Sequence, residues 1–152
     1  MVRLVLAVFV GGLIGLDREA RAKAGGLRTH MLVSLGAAMF VIIPLQIQAP
    51  MSIDALSRVI QGVATGIGFL GAGEIIQQSE GKQGRWKVKG LTSAAAIWLT
   101  AVLGMAAGCG LLPLCLIGTV LGLIILGATK RLERLIPTES GDQDRNPPPP
   151  SG

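Results

Sequence analysis

Apolar positions gather in five runs along the chain, at residues 2–16, 30–49, 59–76, 91–107 and 111–128. A helix needs about 20 residues to cross the ~30 Å hydrocarbon core of a bilayer, within a range of about 17–25. The last four runs meet that length. The first is short: it spans thinly, is lengthened by Arg3 and Asp17 reaching for the interface, or begins at a misplaced start codon. It also has features of a signal peptide, with Ala20-Arg21-Ala22 or Ala22-Lys23-Ala24 as a cleavage site. Arg18, Arg21 and Lys23 directly after the run oppose translocation, so a retained helix is the better reading. The pattern predicts an all-α integral membrane protein, a bundle of five transmembrane helices.

Composition agrees. Half of the residues are hydrophobic, 15% are charged, and Gly reaches 22, where soluble domains carry about a quarter charged residues. The mean hydropathy is +0.59. The net charge of +5 does not point to nucleic acid, because the basic residues lie between apolar runs and base-stacking surface is scarce (no Tyr, three Phe, two Trp). Their distribution fixes an orientation instead. Arg18, Arg21, Lys23 and Arg28 follow the first run, Lys82, Arg85, Lys87 and Lys89 the third, and Lys130, Arg131 and Arg134 the fifth. With the N-terminus outside and the C-terminus inside, twelve of the fourteen Lys/Arg fall on the cytoplasmic side, as the positive-inside rule requires. The expected location is the bacterial inner membrane, crossed several times.

The chain divides into a transmembrane domain over 1–136 and a disordered, Pro-rich cytoplasmic tail over 137–152, which lacks apolar periodicity. Cys109 and Cys115 match no zinc spacing and read as packing residues, with a disulfide as the alternative. The third run holds Gly62, Gly66, Gly68, Gly71 and Gly73, and the fifth holds Gly118 and Gly122. Small residues at this spacing let transmembrane helices approach closely, and in the third run they also permit local unwinding toward a ligand. Pro44 is a candidate kink in the second helix.

No Walker A loop, nucleophile–base pair or HExxH is present, so an enzyme is not expected. Polar residues at membrane depth are the candidates for function, and the topology sets all of them at one rim: Asp17, Arg18, Glu19, Arg28, Thr29, His30, Glu74 and Thr92, with Lys89 and Ser93 beside the last. Asp17 either pairs with Arg28 inside the bundle, offers one oxygen to a magnesium ion, or is a solvated charge that pairs with Arg18, Arg21 or Arg28. It is the one weak metal candidate, and no cofactor is otherwise implied. Glu74 snorkels to the interface or acts there, and His30 is a polar residue at a helix start or a ligand.

Three blocks, "GGLIGLDREARAKAGGLRTHMLVSLGAAMF", "GVATGIGFLGAGEII" and "VKGLTSAAAIWLTAVLGMAAGCG", together resemble the MgtC/SapB family of bacterial membrane proteins. The resemblance covers most of residues 11–110. It implies an inner-membrane protein of magnesium-limited growth and, in pathogens, of survival inside phagocytes, one that modulates other membrane machinery. Direct cation transport is the alternative. The family's polar signature falls on Asp17, Arg18, Glu19, Gly26, Leu27, Arg28, Thr29 and His30, and continues on Gly66, Phe69, Leu70, Gly71, Gly73, Gly90, Leu91, Thr92 and Trp98. Asp17 stands where Glu is common, and Glu74 where an aliphatic residue is usual. The chain resembles the short form, without the soluble C-terminal domain. Expected partners are the lipid bilayer, a second copy of the chain, or a lateral membrane protein; an oligomeric element without ligand is a third class.

Overall fold

The computed structural model describes residues 1–47, 53–78, 80–82 and 85–133. The tail expected over 137–152 lies outside them. Five helices follow one another: α1 (Val2–Ala20), α2 (Leu27–Ile47), α3 (Ile53–Gln78), α4 (Leu91–Cys109) and α5 (Leu112–Glu133). Between α3 and α4 a small antiparallel hairpin joins β1 (Glu80–Lys82) to β2 (Arg85–Lys87), with Gly81 opposite Trp86. Sequence patterning did not reveal it, since strands of three residues are too short to display an alternation. Three helices, α2, α3 and α4, are long and apolar enough to cross a membrane, and Leu112–Ala128 of α5 is a shorter apolar stretch.

The short first run is the clearest change of boundary. Asp17, Arg18, Glu19 and Ala20 continue α1 as its last turn, so the helix has 19 residues and rises about 28 Å. It then stops in a Schellman motif. The Lys23 amide donates to the Arg18 carbonyl at 3.0 Å and the Ala22 amide to that of Glu19 at 2.9 Å, as this C-terminal cap requires. Ala22 sits at the left-handed position with φ 49°, where glycine is usual. The turn between α4 and α5 is built the same way on Gly110, with φ 82°. There the Arg3 guanidinium donates to the Gly108 carbonyl at 3.1 Å, placing a cation on the negative end of α4.

The core forms around α4, which buries eleven of its residues, while α3 buries only Val63, Ile67 and Gly71. On one side of α4, Leu103, Ala106 and Ala107 pack with Ala7, Val10 and Ile14 of α1, Ala38 of α2 and Cys115 of α5. On the other, Ile97, Ala101 and Met105 meet Ala37 and Val41 of α2 and Val63 and Ile67 of α3. Two buried threonine hydroxyls are satisfied within their own helices: Thr100 donates to the Ala96 carbonyl at 2.8 Å and Thr119 to that of Cys115 at 2.7 Å. Both cysteines are free, and the Cys115 thiol faces the Leu103 carbonyl at 3.3 Å. Outward positions such as Phe9, Phe40, Phe69 and Ile125 are apolar and more than half exposed, a surface suited to lipid.

Glycine sets the spacing of these helices, though not where its density suggests. A methyl group on Gly11 would stand 2.6 Å from the His30 carbonyl oxygen, and one on Gly15 2.8 Å from Leu27 Cα. On Gly104 it would lie 2.8 Å from Ser34 Cα, and on Gly108 2.8 Å from the Ala38 oxygen. The backbones of α1, α2 and α4 therefore touch through two pairs of glycines four residues apart. Gly118 and Gly122 face the Leu103 and Leu99 side chains, with a methyl 2.8 and 2.6 Å from their ends.

The packing role expected of α3's glycines is not met within the chain. Gly62, Gly66, Gly68 and Gly73 face open space, and only Gly71 has a neighbour, the Ala94 methyl, 3.5 Å from a methyl placed there. The buried line of α3 runs through residues 63, 67 and 71, and the other glycines lie off that line.

Overpacking a filled contact costs about 1–3 kcal/mol. Gly104→Val is therefore expected to lower the thermal midpoint of the detergent-solubilised monomer by several degrees, and Gly66→Val to change it far less. Equal losses would contradict this assignment of the packing glycines.

Candidate functional site

The buried stripes of three helices bring polar side chains to one end of the bundle. On α1 the stripe passes through Ala7, Val10, Gly11, Ile14 and Gly15 and ends on Arg18. On α2 it starts at His30 and continues through Ser34, Ala37, Ala38 and Val41. On α4 it starts at Ser93 and continues through Ala96, Ile97 and Thr100. Each follows the three- and four-residue steps of a helix face.

Arg18 is the centre of this rim. It is 3% exposed, and its guanidinium Nη2 donates to the Ser93 hydroxyl oxygen at 2.8 Å, tying α1 to α4. Arg18 Nε is buried without a partner. Asp17 and Glu74 are the carboxylates whose charge acts on it.

His30 is completely buried. Its Nδ1 lies 3.1 Å from the Gly26 carbonyl oxygen, so that nitrogen carries the proton and donates. His30 Nε2 and the Ser34 hydroxyl, both buried, have no partner.

The acidic residues take separate duties. Asp17 does not pair with Arg28. It binds Arg21 at 2.8 Å, four residues on and one turn along the same face, while Arg28 is exposed. The spacing favours this local pair, and Arg28 points away after the turn. Glu19 Oε2 accepts the Leu27 amide at 2.9 Å. It thus places a negative charge on the start of α2, where the helix dipole favours one. A Cβ on Gly26 would meet the Glu19 carboxylate, which would have to shift aside. Glu74 accepts a hydrogen bond from Gln78 on its own helix.

Thr29 and Thr92 are exposed. Ser93, one residue on, is the side chain that turns inward to Arg18, and the signal was available: residues 93, 96, 97 and 100 keep the phase of α4's buried face. Phe69, Leu70 and Trp98 are also at the surface, between 49% and 82% exposed.

Magnesium binds through one or two carboxylates and keeps several waters; no group of three His, Cys, Asp or Glu side chains able to hold a metal occurs among the described residues. One Asp17 oxygen is bound to Arg21, and the guanidinium of Arg18 adds a further positive charge beside it.

The model of the MgtC family matches residues 4–135. The chain belongs to the MgtC family. Its relatives include protein SrpB of Synechococcus elongatus, 50% identical over 88% of this chain and 76% of that protein. The putative magnesium transporter YhiD of Escherichia coli is 40% identical over 83% of this chain and 58% of its own length. Protein MgtC of Brucella abortus is 39% identical over 75% and 44% respectively. The chain thus spans about half of the longer relatives. No solved structure matches.

Removing an N-terminal capping group typically costs about 1 kcal/mol. Glu19→Ala is expected to lower unfolding stability in detergent by about that amount, with Gly26→Ala lowering it at least as far by displacing the same carboxylate. A Gly26→Ala protein as stable as the parent would contradict the contact.

Proposed function

We propose that this chain is a non-catalytic, five-span protein of the bacterial inner membrane that modulates other membrane machinery during adaptation to magnesium limitation and, in pathogens, during intracellular survival. The N-terminus is outside, the C-terminus inside, and the charged rim cytoplasmic. The observation that carries this reading is the sign of the rim. Arg18, buried where α1 ends and α4 begins, sets a guanidinium at this end of the bundle, and Arg21 is near enough for its charge to act there too. Like charge in a low-dielectric setting repels strongly.

The bundle offers a lateral surface instead. α3 is largely outward-facing, and between it, α4 and α5 an apolar groove of about 380 Å³ runs past Ile60, Val63, Trp98 and Met105. The open glycines of α3 leave that side free for a second copy or another membrane protein. Transport is the second reading, favoured by the name of the YhiD relative.

Purified protein in liposomes loaded with a magnesium-sensitive dye is expected to give no influx above that of empty vesicles. In the same study, the gene should restore growth of a deletion strain in magnesium-poor medium. Influx that saturates with magnesium and scales with protein would overturn modulation in favour of transport.

A further inference from the structure

A cleft of about 480 Å³ opens at the rim between the end of α1 and the start of α4. Four cationic side chains line it, Arg18, Arg21, Lys23 and Lys89, together with Thr92 and Ser93 in the first turn of α4. We infer that this cleft binds a phosphate-type oxyanion at the membrane boundary.

Three independent features support the assignment. The residues that line the cleft include four cations and no carboxylate. α4 begins on Gly90, at φ 89° and without a side-chain cap. The amides of a helix's first turn have no acceptors within the helix, and they favour an anion. Finally, Arg18 is 3% exposed, with Nη2 on the Ser93 hydroxyl and Nε unpartnered. Its guanidinium, which lines the cleft, is thus held in place for a charge-assisted bond to an oxyanion.

The cleft is large enough for a headgroup or a small phosphorylated solute, and its position at the end of the apolar bundle matches the depth of lipid phosphates. Gln78 at the end of α3 and Leu126 of α5 complete its walls, so an occupant would bridge four of the five helices. Occupancy would then bias how α3 and α5 sit on the α1–α4 pair. The site does not depend on the magnesium reading above.

The test uses the full chain and two probes. Inorganic phosphate is titrated into protein in neutral detergent, against chloride at equal ionic strength, and the thermal midpoint is followed. Separately, the midpoint is measured in phosphatidylcholine nanodiscs with increasing phosphatidylglycerol. Protection by phosphate identifies a free oxyanion as ligand; protection by phosphatidylglycerol alone identifies a lipid headgroup. Either result supports the site.

Lys23, in the link after α1, and Arg28, in the first turn of α2, are both exposed, but Lys23 lines the cleft and Arg28 does not. Lys23→Gln is expected to weaken the apparent affinity about fivefold, the effect of one cation near a bound anion, with Arg28→Gln changing it less than about twofold. Both should unfold like the parent without ligand. Absence of protection by either probe, protection equalled by chloride, or equal weakening by Arg28→Gln would overturn the proposal.

Discussion

The bond from Arg18 to Ser93 joins the end of α1 to the start of α4, and the charged rim is arranged around it. A cation near the membrane interior is costly unless partnered. This one is tolerated because α1 and α4 lie close enough for a hydroxyl to receive it. That closeness depends on glycine. Gly11 and Gly15 bring α1 onto α2, and Gly104 and Gly108 bring α2 onto α4. The three backbones form a tight core whose polar ends coincide. Asp17 is then free to bind Arg21, and Glu19 to bind the start of α2. The stretch after the first apolar run is therefore a structural joint.

This division of labour has functional consequences. α1, α2 and α4 fill one another, leaving α3 and α5 to present most of their surface outward. A protein built in this way has a rigid inner part and a broad lateral face. The unpartnered Nε2 of His30 and hydroxyl of Ser34 keep some polarity below the rim, without a carboxylate between them.

Hydrophobic runs revealed the five helices, and charge placement brought the polar residues to one end. They also made the family legible, because its signature residues bunch around that end. Which residues turn inward was harder to read. Glycine density drew attention to α3, but helix phase decides packing, and Gly62, Gly66, Gly68 and Gly73 are off the buried line. The same phase argument selects Ser93 over Thr92 and Arg18 over Asp17. Glu19's hold on the Leu27 amide depends on a turn through Gly25 and Gly26, whose path no periodicity encodes. Asp17 paired with Arg21 rather than Arg28 because a neighbour one helical turn away needs no long-range arrangement.

The central claim is that Arg18 is held inside the bundle by Ser93. A double-mutant cycle of Arg18→Met and Ser93→Ala, read by unfolding in detergent, tests it most directly. Residues in direct contact show coupling of about 0.5–3 kcal/mol, and the account predicts a coupling of at least about 1 kcal/mol, with Ser93→Ala costing much less once Arg18 has been removed. Additive losses would show that the two side chains do not meet, and would contradict the account.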